Sequence, residues 1–273
     1  MNKLFTSVCI FALTVGFVAC SDDSSSTSAE NQESTTQENS IKFEKDVLWL
    51  PSYGKRVRTF FNDALTEENF ATFDSLSHDG WWWTHVDAQD EPDGKSTVEF
   101  TYTDTAMIVD FNLSYDWVEY VPSEDEYWPN RNFVPKIDPY ATIGFVFSPD
   151  EKPVDISGWK GICLIYESNS SFQMFPAAEG QWYWRVNVPK SEGNKSVFQL
   201  DFNELELLSW APASTPSLEE VLKSSMYFQL EVNHSQMGLS SCYSASPENS
   251  CGHMDVKNTI RIYKIGLYGK CGE

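Results

Sequence analysis

Gln181-Trp182-Tyr183-Trp184-Arg185-Val186-Asn187-Val188 alternates bulky apolar side chains with polar or amphipathic ones. Successive side chains of a β-strand point to opposite faces. One face therefore takes Trp182, Trp184, Val186 and Val188, and the other takes Tyr183, Arg185 and Asn187. The first set suits a core and the second a polar surface. The same period of two recurs in Met226 to His234, where Phe228, Leu230 and Val232 point inward and Tyr227, Gln229, Glu231 and Asn233 outward. In Tyr140 to Phe147 the inward set is Ala141, Ile143, Phe145 and Phe147, leaving Tyr140 and Thr142 outward. Three such segments decide the class: this is a β protein with one face of each strand buried.

Further strands are expected at 55–61, 81–86, 96–102, 106–113, 159–166, 196–202 and 259–268, bounded by Gly, Pro, Asn or Asp. One helix is expected at Ser217-Leu218-Glu219-Glu220-Val221-Leu222, with Ser217 and Glu220 forming a capping box. Ten or so strands and one short helix imply an all-β, two-sheet antiparallel jelly-roll sandwich. The long interval Ser114 to Pro139 reads as a loop insertion whose rings Trp117, Tyr127 and Trp128 are available for stacking.

The N-terminus assigns an address. Lys3 precedes an apolar run from Leu4 to Phe17, which is signal-peptide length and too short to span a bilayer. Phe17-Val18-Ala19-Cys20-Ser21 then resembles the lipobox of bacterial lipoproteins, with Phe17 where leucine is usual. Residues 1–20 are thus read as a lipoprotein signal peptide, Cys20 as the lipidated (palmitate-bearing) residue, and the N-terminal lipid as a membrane anchor in the cell envelope, on the outer membrane and surface-exposed. Residues 21–40, SDDSSSTSAENQESTTQENS, hold a single apolar residue, Ala29, and read as a disordered acidic tether reaching roughly 25 Å. Residues 41–273 are left for one sandwich domain.

With 40 acidic against 19 basic residues and a net charge of −21, the chain repels phosphate backbones, and nucleic acid is excluded as a partner. Aromatics make up 15% of the chain, more than one sandwich core easily holds, so some belong on the surface. Beyond Cys9 and Cys20 four cysteines remain, an even number in an oxidising compartment. Cys242 and Cys251 flank a short loop and are paired first. Cys163 lies in an apolar strand, either bonded to Cys271 or simply buried. No C-x-x-C spacing marks a metal site.

Several stretches carry a resemblance to a known family. Gly80-Trp81-Trp82-Trp83 runs toward Asp87 and then Asp93-Gly94-Lys95-Ser96-Thr97. Tyr140-Ala141-Thr142-Ile143-Gly144-Phe145 places a glycine in a central strand, and Pro153-Val154-Asp155-Ile156-Ser157-Gly158-Trp159-Lys160-Gly161-Ile162 enters the next. From Phe43 to Gly269 the chain resembles the galactose-binding-like jelly-roll carbohydrate-binding modules, particularly families 11 and 30. The resemblance implies a non-catalytic module that binds polysaccharide, plant β-glucan being the partner expected. Many relatives carry an acidic residue on the last strand that helps hold a structural calcium. This chain reads Ile262-Tyr263-Lys264-Ile265 there, which argues against calcium, and no cofactor is expected.

The outward sets fit that reading on their own chemistry. Sugars pack C–H faces on rings while their hydroxyls need donors and acceptors. The candidate carbohydrate-binding residues are Tyr140, Tyr183, Arg185, Asn187, Tyr227, Gln229 and Glu231, with Trp117, Tyr127 and Trp128 from the insertion. Catalysis finds less support. A glycosidase needs two carboxylates across a cleft, and the nearest cluster, Asp201, Glu204 and Glu206, falls at a turn. There is no Gly-x-Ser-x-Gly elbow, and His78, His85, His234 and His253 lack metal-ligand spacing and read as surface or turn residues. No catalytic residue is assigned, and the chain is read as a binding protein rather than an enzyme. The alternatives are an assembly lipoprotein binding another envelope protein, and a glycoside hydrolase.

The anchor is tested at one atom. Cys20→Ala is expected to move the protein out of the membrane fraction or to leave it as an unprocessed precursor. Processed protein that still sediments with membranes would overturn the assignment.

Overall fold

The computed structural model describes residues 44, 46–54, 57, 82–121, 132–147, 152–237, 242, 245 and 251–272. The signal peptide, Cys20, the tether, His78, Tyr127, Trp128 and the strand expected at 55–61 (Val57 apart) lie outside the described residues.

Among the described residues two antiparallel sheets face each other. The first runs β10 (Ser196–Asp201), β7 (Gly161–Ser168), β13 (His253–Leu267), β4 (Met107–Glu119), β3 (Thr97–Tyr102), with β1 (Val47–Trp49) on β13 and β5 (Phe133–Pro135) on β4. The second runs β11 (Glu206–Leu207), β9 (Trp184–Val188), β8 (Phe172–Ala177), β12 (Tyr227–Asn233), β6 (Tyr140–Val146), β2 (Trp82–Val86). This is the all-β sandwich expected from the alternation. Its core is the sum of the inward sets: Val109 and Phe111 of β4, Leu164 and Tyr166 of β7, and Ile260 and Ile262 of β13 meet Ile143 and Phe145 of β6, Phe228 and Leu230 of β12, and Met174 of β8.

Strand β13 shows how strictly the core imposes parity. Its buried isoleucines fall at 260, 262 and then 265, an odd step. A register shift against β7 between Ile262 and Lys264 absorbs the extra residue, Tyr263, and keeps the isoleucines on one face.

Helix α2 (Leu218–Lys223) has the expected cap: the Ser217 side chain accepts from Glu220 N, and Ser217 N donates to Glu220 Oε2 at 2.8 Å. A second helix, α1 (Asp87–Asp90), is a single turn following β2 and was not expected, because four residues carry no helical periodicity. Strand β8 was also not expected: in Phe172-Gln173-Met174-Phe175-Pro176-Ala177 alternation fails after Met174 and a proline intervenes.

The interval 114–139 corrects the loop reading. Strand β4 runs on to Glu119, and β5 returns against it, pairing Trp117 with Pro135 and Glu119 with Phe133. Trp117 is 6% exposed and belongs to the core, so it offers no stacking platform. Ser114 marks no turn, since β4 continues through it beside β13, with Ser114 opposite Asp255.

Both disulfides form. Cys242 and Cys251 are 5.7 Å apart at Cα, and Cys163 and Cys271 are 5.8 Å apart. The second ties the chain's end to β7 across 108 residues. Non-reducing peptide mapping is expected to recover both pairs. Changing Cys163 and Cys271 to serine together should lower unfolding stability by up to about 4–5 kcal/mol on the chain-entropy estimate.

Candidate functional site

The outward face of the six-stranded sheet holds a cleft of about 830 Å³. Two cross-strand rows build its floor. In one, Phe175, Gln229, Gly144 and Trp83 lie opposite one another across β8, β12, β6 and β2. In the next, Gln173, Glu231, Thr142 and His85 do the same from β8 to β2, and Asn187 of β9 continues the row beyond the cleft. By strand spacing, the span from β9 to β2 is about 19 Å.

The centre of the floor is a charge pair withdrawn from water. Arg185 Nη1 donates to Glu231 Oε1 at 2.5 Å, with the two side chains 7% and 12% exposed. Nη1 also donates to Gln173 Oε1 at 2.7 Å, and Nε donates to the Trp182 carbonyl at 3.0 Å. The guanidinium lies 4.2 Å from the Phe175 ring centroid and 4.9 Å from that of Trp182, so it is held between two aromatic faces. Glu231 is completed by Asn233 Nδ2 at 3.1 Å on the same oxygen and by Thr142 Oγ1 at 3.5 Å on the other. Removing either charge would leave its partner buried and uncompensated, at a cost of several kcal/mol.

Aromatic rings and polar groups border this floor. Trp83 meets Tyr227 edge to face at 5.6 Å, and Trp182 and Trp210 lie at the β9 end with ring centroids 5.6 Å apart. Trp182 is 37% and Trp210 61% exposed, large rings left open beside a buried ion pair. Tyr140, His85, Asp90, Asp138 and His234 supply donors and acceptors. His234 Nδ1 lies 3.3 Å from Asp138 Oδ1, its side chain 16% exposed, so it is half-enclosed by the cleft rather than a simple surface residue. A smaller polar pocket of about 440 Å³ adjoins beyond Gln173 and Arg185, lined by Asn187, Glu204 and Glu206. Among the described residues no group of three or more His, Cys, Asp or Glu is arranged to hold a metal ion.

Of the residues picked from sequence, Tyr140, Arg185, Tyr227, Gln229 and Glu231 come together in the cleft, and Asn187 lines the adjoining pocket. Two assignments change. Trp182 was placed inward, yet it lines the cleft, while Tyr183 stands behind it, stacked on Trp182 at 4.6 Å and edge-on to Trp210. The reason is that β9 begins only at Trp184, so strand parity does not extend back to these two residues. Trp184, Val186 and Val188 keep their inward positions. Sequence reasoning missed Trp83, His85, Asp90, Phe175 and Trp210. Alternation within Trp82-Trp83-Thr84-His85-Val86 would have put Trp83 and His85 outward; Trp210, outside any strand, carries no such signal.

Gly144 explains how Trp83 lies down on the sheet. A Cβ at Gly144 would fall 2.7 Å from Trp83 Cζ2 and 2.9 Å from the Phe228 carbonyl oxygen, so only glycine admits the indole here.

Comparison with known proteins gives distant likenesses. The family 11 carbohydrate-binding module from Clostridium thermocellum, solved in complex with a β-1,3-1,4-mixed-linked tetrasaccharide, is similar at 11% identity and a TM-score of 0.38, over 69% of this chain and 89% of that one. The solution structure of CtCBM11 gives 12% identity and a TM-score of 0.32, over 69% and 88%. An agarase, AgWH50C, gives 8% and 0.31 over 65% of this chain but only 23% of its own. No protein-family model and no curated protein matches the sequence. At these values the likenesses carry neither residue roles nor ligands across. The site rests on its own side chains.

Gly144→Ala is expected to cost about 1–3 kcal/mol in chemical unfolding through overpacking. Combined with Trp83→Ala it should cost less than the sum of the two single changes, since one clash is then gone. Simple additivity would show that the indole does not rest on Gly144.

Proposed function

We propose that this protein binds polysaccharide without cleaving it, through the cleft on the six-stranded sheet, as a lipid-anchored protein of the cell envelope. The observation that carries the reading is the company kept by Arg185 and Glu231. A buried, hydrogen-bonded ion pair is flanked by the half-open rings of Trp83, Trp182 and Trp210. Rings take the C–H faces of a pyranose, and the amide of Gln229 beside them takes its hydroxyls. Glu231, hydrogen-bonded on both oxygens, is committed to structure and poorly placed for acid–base work.

A neutral β-glucan chain is the ligand proposed, laid across the strands. The cleft is open, so a single site trades water hydrogen bonds for protein ones at modest gain. Lipidation at Cys20 and the acidic tether of residues 21–40 would hold many copies at one surface, where avidity makes up for weak single sites.

Affinity electrophoresis of the purified protein through gels holding mixed-linkage β-glucan, xylan or hydroxyethylcellulose tests this. Retardation by the β-glucan is expected. Trp182→Ala and Trp83→Ala should each weaken it by about 1 kcal/mol or more, the scale of one aromatic contact. No retardation by any polysaccharide, with capture of an envelope protein instead, would favour an assembly role. Release of reducing sugar would make the protein a hydrolase.

A further inference from the structure

The motif Asp87 with Asp93-Gly94-Lys95-Ser96-Thr97 takes no direct part in the cleft, yet it is built with care. Asp87, the first residue of α1, is wholly buried. Its Oδ1 accepts from Ser96 N at 3.0 Å and its Oδ2 from Ser96 Oγ, while Ser96 Oγ accepts from Ser114 N of β4 at 3.3 Å. Gly94 lets the turn close tightly, since a Cβ there would fall 2.5 Å from Ala88 N. Gln89 Oε1 accepts from Val86 N at 3.2 Å. A single helical turn, unstable alone, is thus held in place: Asp87 is bonded twice to Ser96, which is itself bonded to β4, and Gln89 closes back on the last residue of β2.

The staple has one consequence inside the cleft. Asp90, the last residue of α1, is held where Tyr140 begins β6 and His85 nears the end of β2. Tyr140 Oη donates to Asp90 Oδ2, and His85 Nε2 lies 3.0 Å from the same oxygen. The two rings stack with centroids 5.8 Å apart at 22°. The hydrogen bond from Tyr140, and then that with His85, holds the Asp90 carboxyl below its ordinary pKa, so the pairing persists at neutral pH. Burial first, and Asp90 second, pushes the Tyr140 phenol up, keeping its proton in place.

We propose that Asp90 is a positioning residue: carried by the stapled turn α1, it fixes His85 and Tyr140 as a two-ring wall of the cleft, so that the ligand meets rings already ordered. This rests on the reading of the cleft as a glycan site. Tyr140 and His85 sit near strand ends, where each ring would otherwise sample several rotamers. Ordering them on binding would weaken affinity by about three- to tenfold.

Three variants of the full protein test it, each measured by retardation in mixed-linkage β-glucan gels and by ring-to-ring NOEs in the free protein. Asp90→Ala should weaken binding about three- to tenfold and abolish the His85–Tyr140 NOE, with little change in melting temperature. Asp90→Asn should keep most of both, since an amide oxygen still accepts from Tyr140. Tyr140→Phe should weaken binding much as Asp90→Ala does, and the two together should be no worse than either. If Asp90→Asn binds as poorly as Asp90→Ala, the carboxylate touches the ligand itself and the positioning role is wrong. Additive losses, or an NOE that survives Asp90→Ala, would also overturn it. A parent that binds no glycan but loses the NOE in Asp90→Ala would retain the bracket and reject the glycan reading.

Discussion

Phe145 of β6 and Phe228 of β12 are cross-strand partners, stacked in the core with centroids 5.8 Å apart and fully buried. Everything on the cleft side depends on that contact. Side chains alternate strictly along a strand, and a slip of one residue would turn Phe145 and Phe228 out of the core. With Phe145 and Phe228 inward, Gly144, Gln229, Thr142 and Glu231 have no choice but to face out. Trp82, edge-on to Phe145 at 5.3 Å, extends the same constraint to β2 and so turns Trp83 and His85 into the cleft. The core thus selects the cleft face by parity.

What parity cannot do is make outward residues exposed. Thr142 is 2% and Arg185 7% exposed although both point away from the core. They are covered from above: Trp182 lies over the guanidinium, and Asn233 and Gln173 close around the Glu231–Arg185 pair. The cleft floor is therefore a second, polar core. Such networks tolerate little change, because each unmatched donor or charge in low dielectric costs more than a matched one gains. The rim is different, since Trp210 and Asn187 make few obligations beyond their own ring or amide contacts.

This division explains which parts were legible in the sequence. The strands with clean alternation, β6, β9 from Trp184 onward, and β12, were readable together with the residues they turn outward, because period two carries that information directly. The capping box at Ser217 and Glu220 was readable for a similar local reason. The short turn α1, the edge strand β11 and the proline-bearing β8 were not, since two to six residues with broken alternation give no periodic signal. Trp117 was misread because a strand that continues into an aromatic-rich interval looks, in one dimension, like a loop that has begun. Trp182 was misread for the opposite reason: apparent alternation ran two residues beyond the strand that enforces it. The cleft's polar wall was hidden most deeply. The Asp90–Tyr140 contact joins residues 50 apart, and only the sheet brings them together.

The arrangement also separates two kinds of substitution in the cleft. Altering Trp210, Asn187 or Gln229 changes the ring faces and amides at the surface without opening the buried pair beneath. Altering Gln173, Thr142 or Asn233 removes a partner from Glu231 or Arg185 and so reaches the fold through an unsatisfied charge. Trp182 stands between the two classes, since one face of its indole covers Arg185 while 37% of the residue remains open. Only its backbone carbonyl is tied to the guanidinium by a hydrogen bond, and any residue keeps that contact. A change of ring at position 182 therefore alters what the cleft presents and uncovers Arg185 at once, while the carbonyl continues to hold the guanidinium in place.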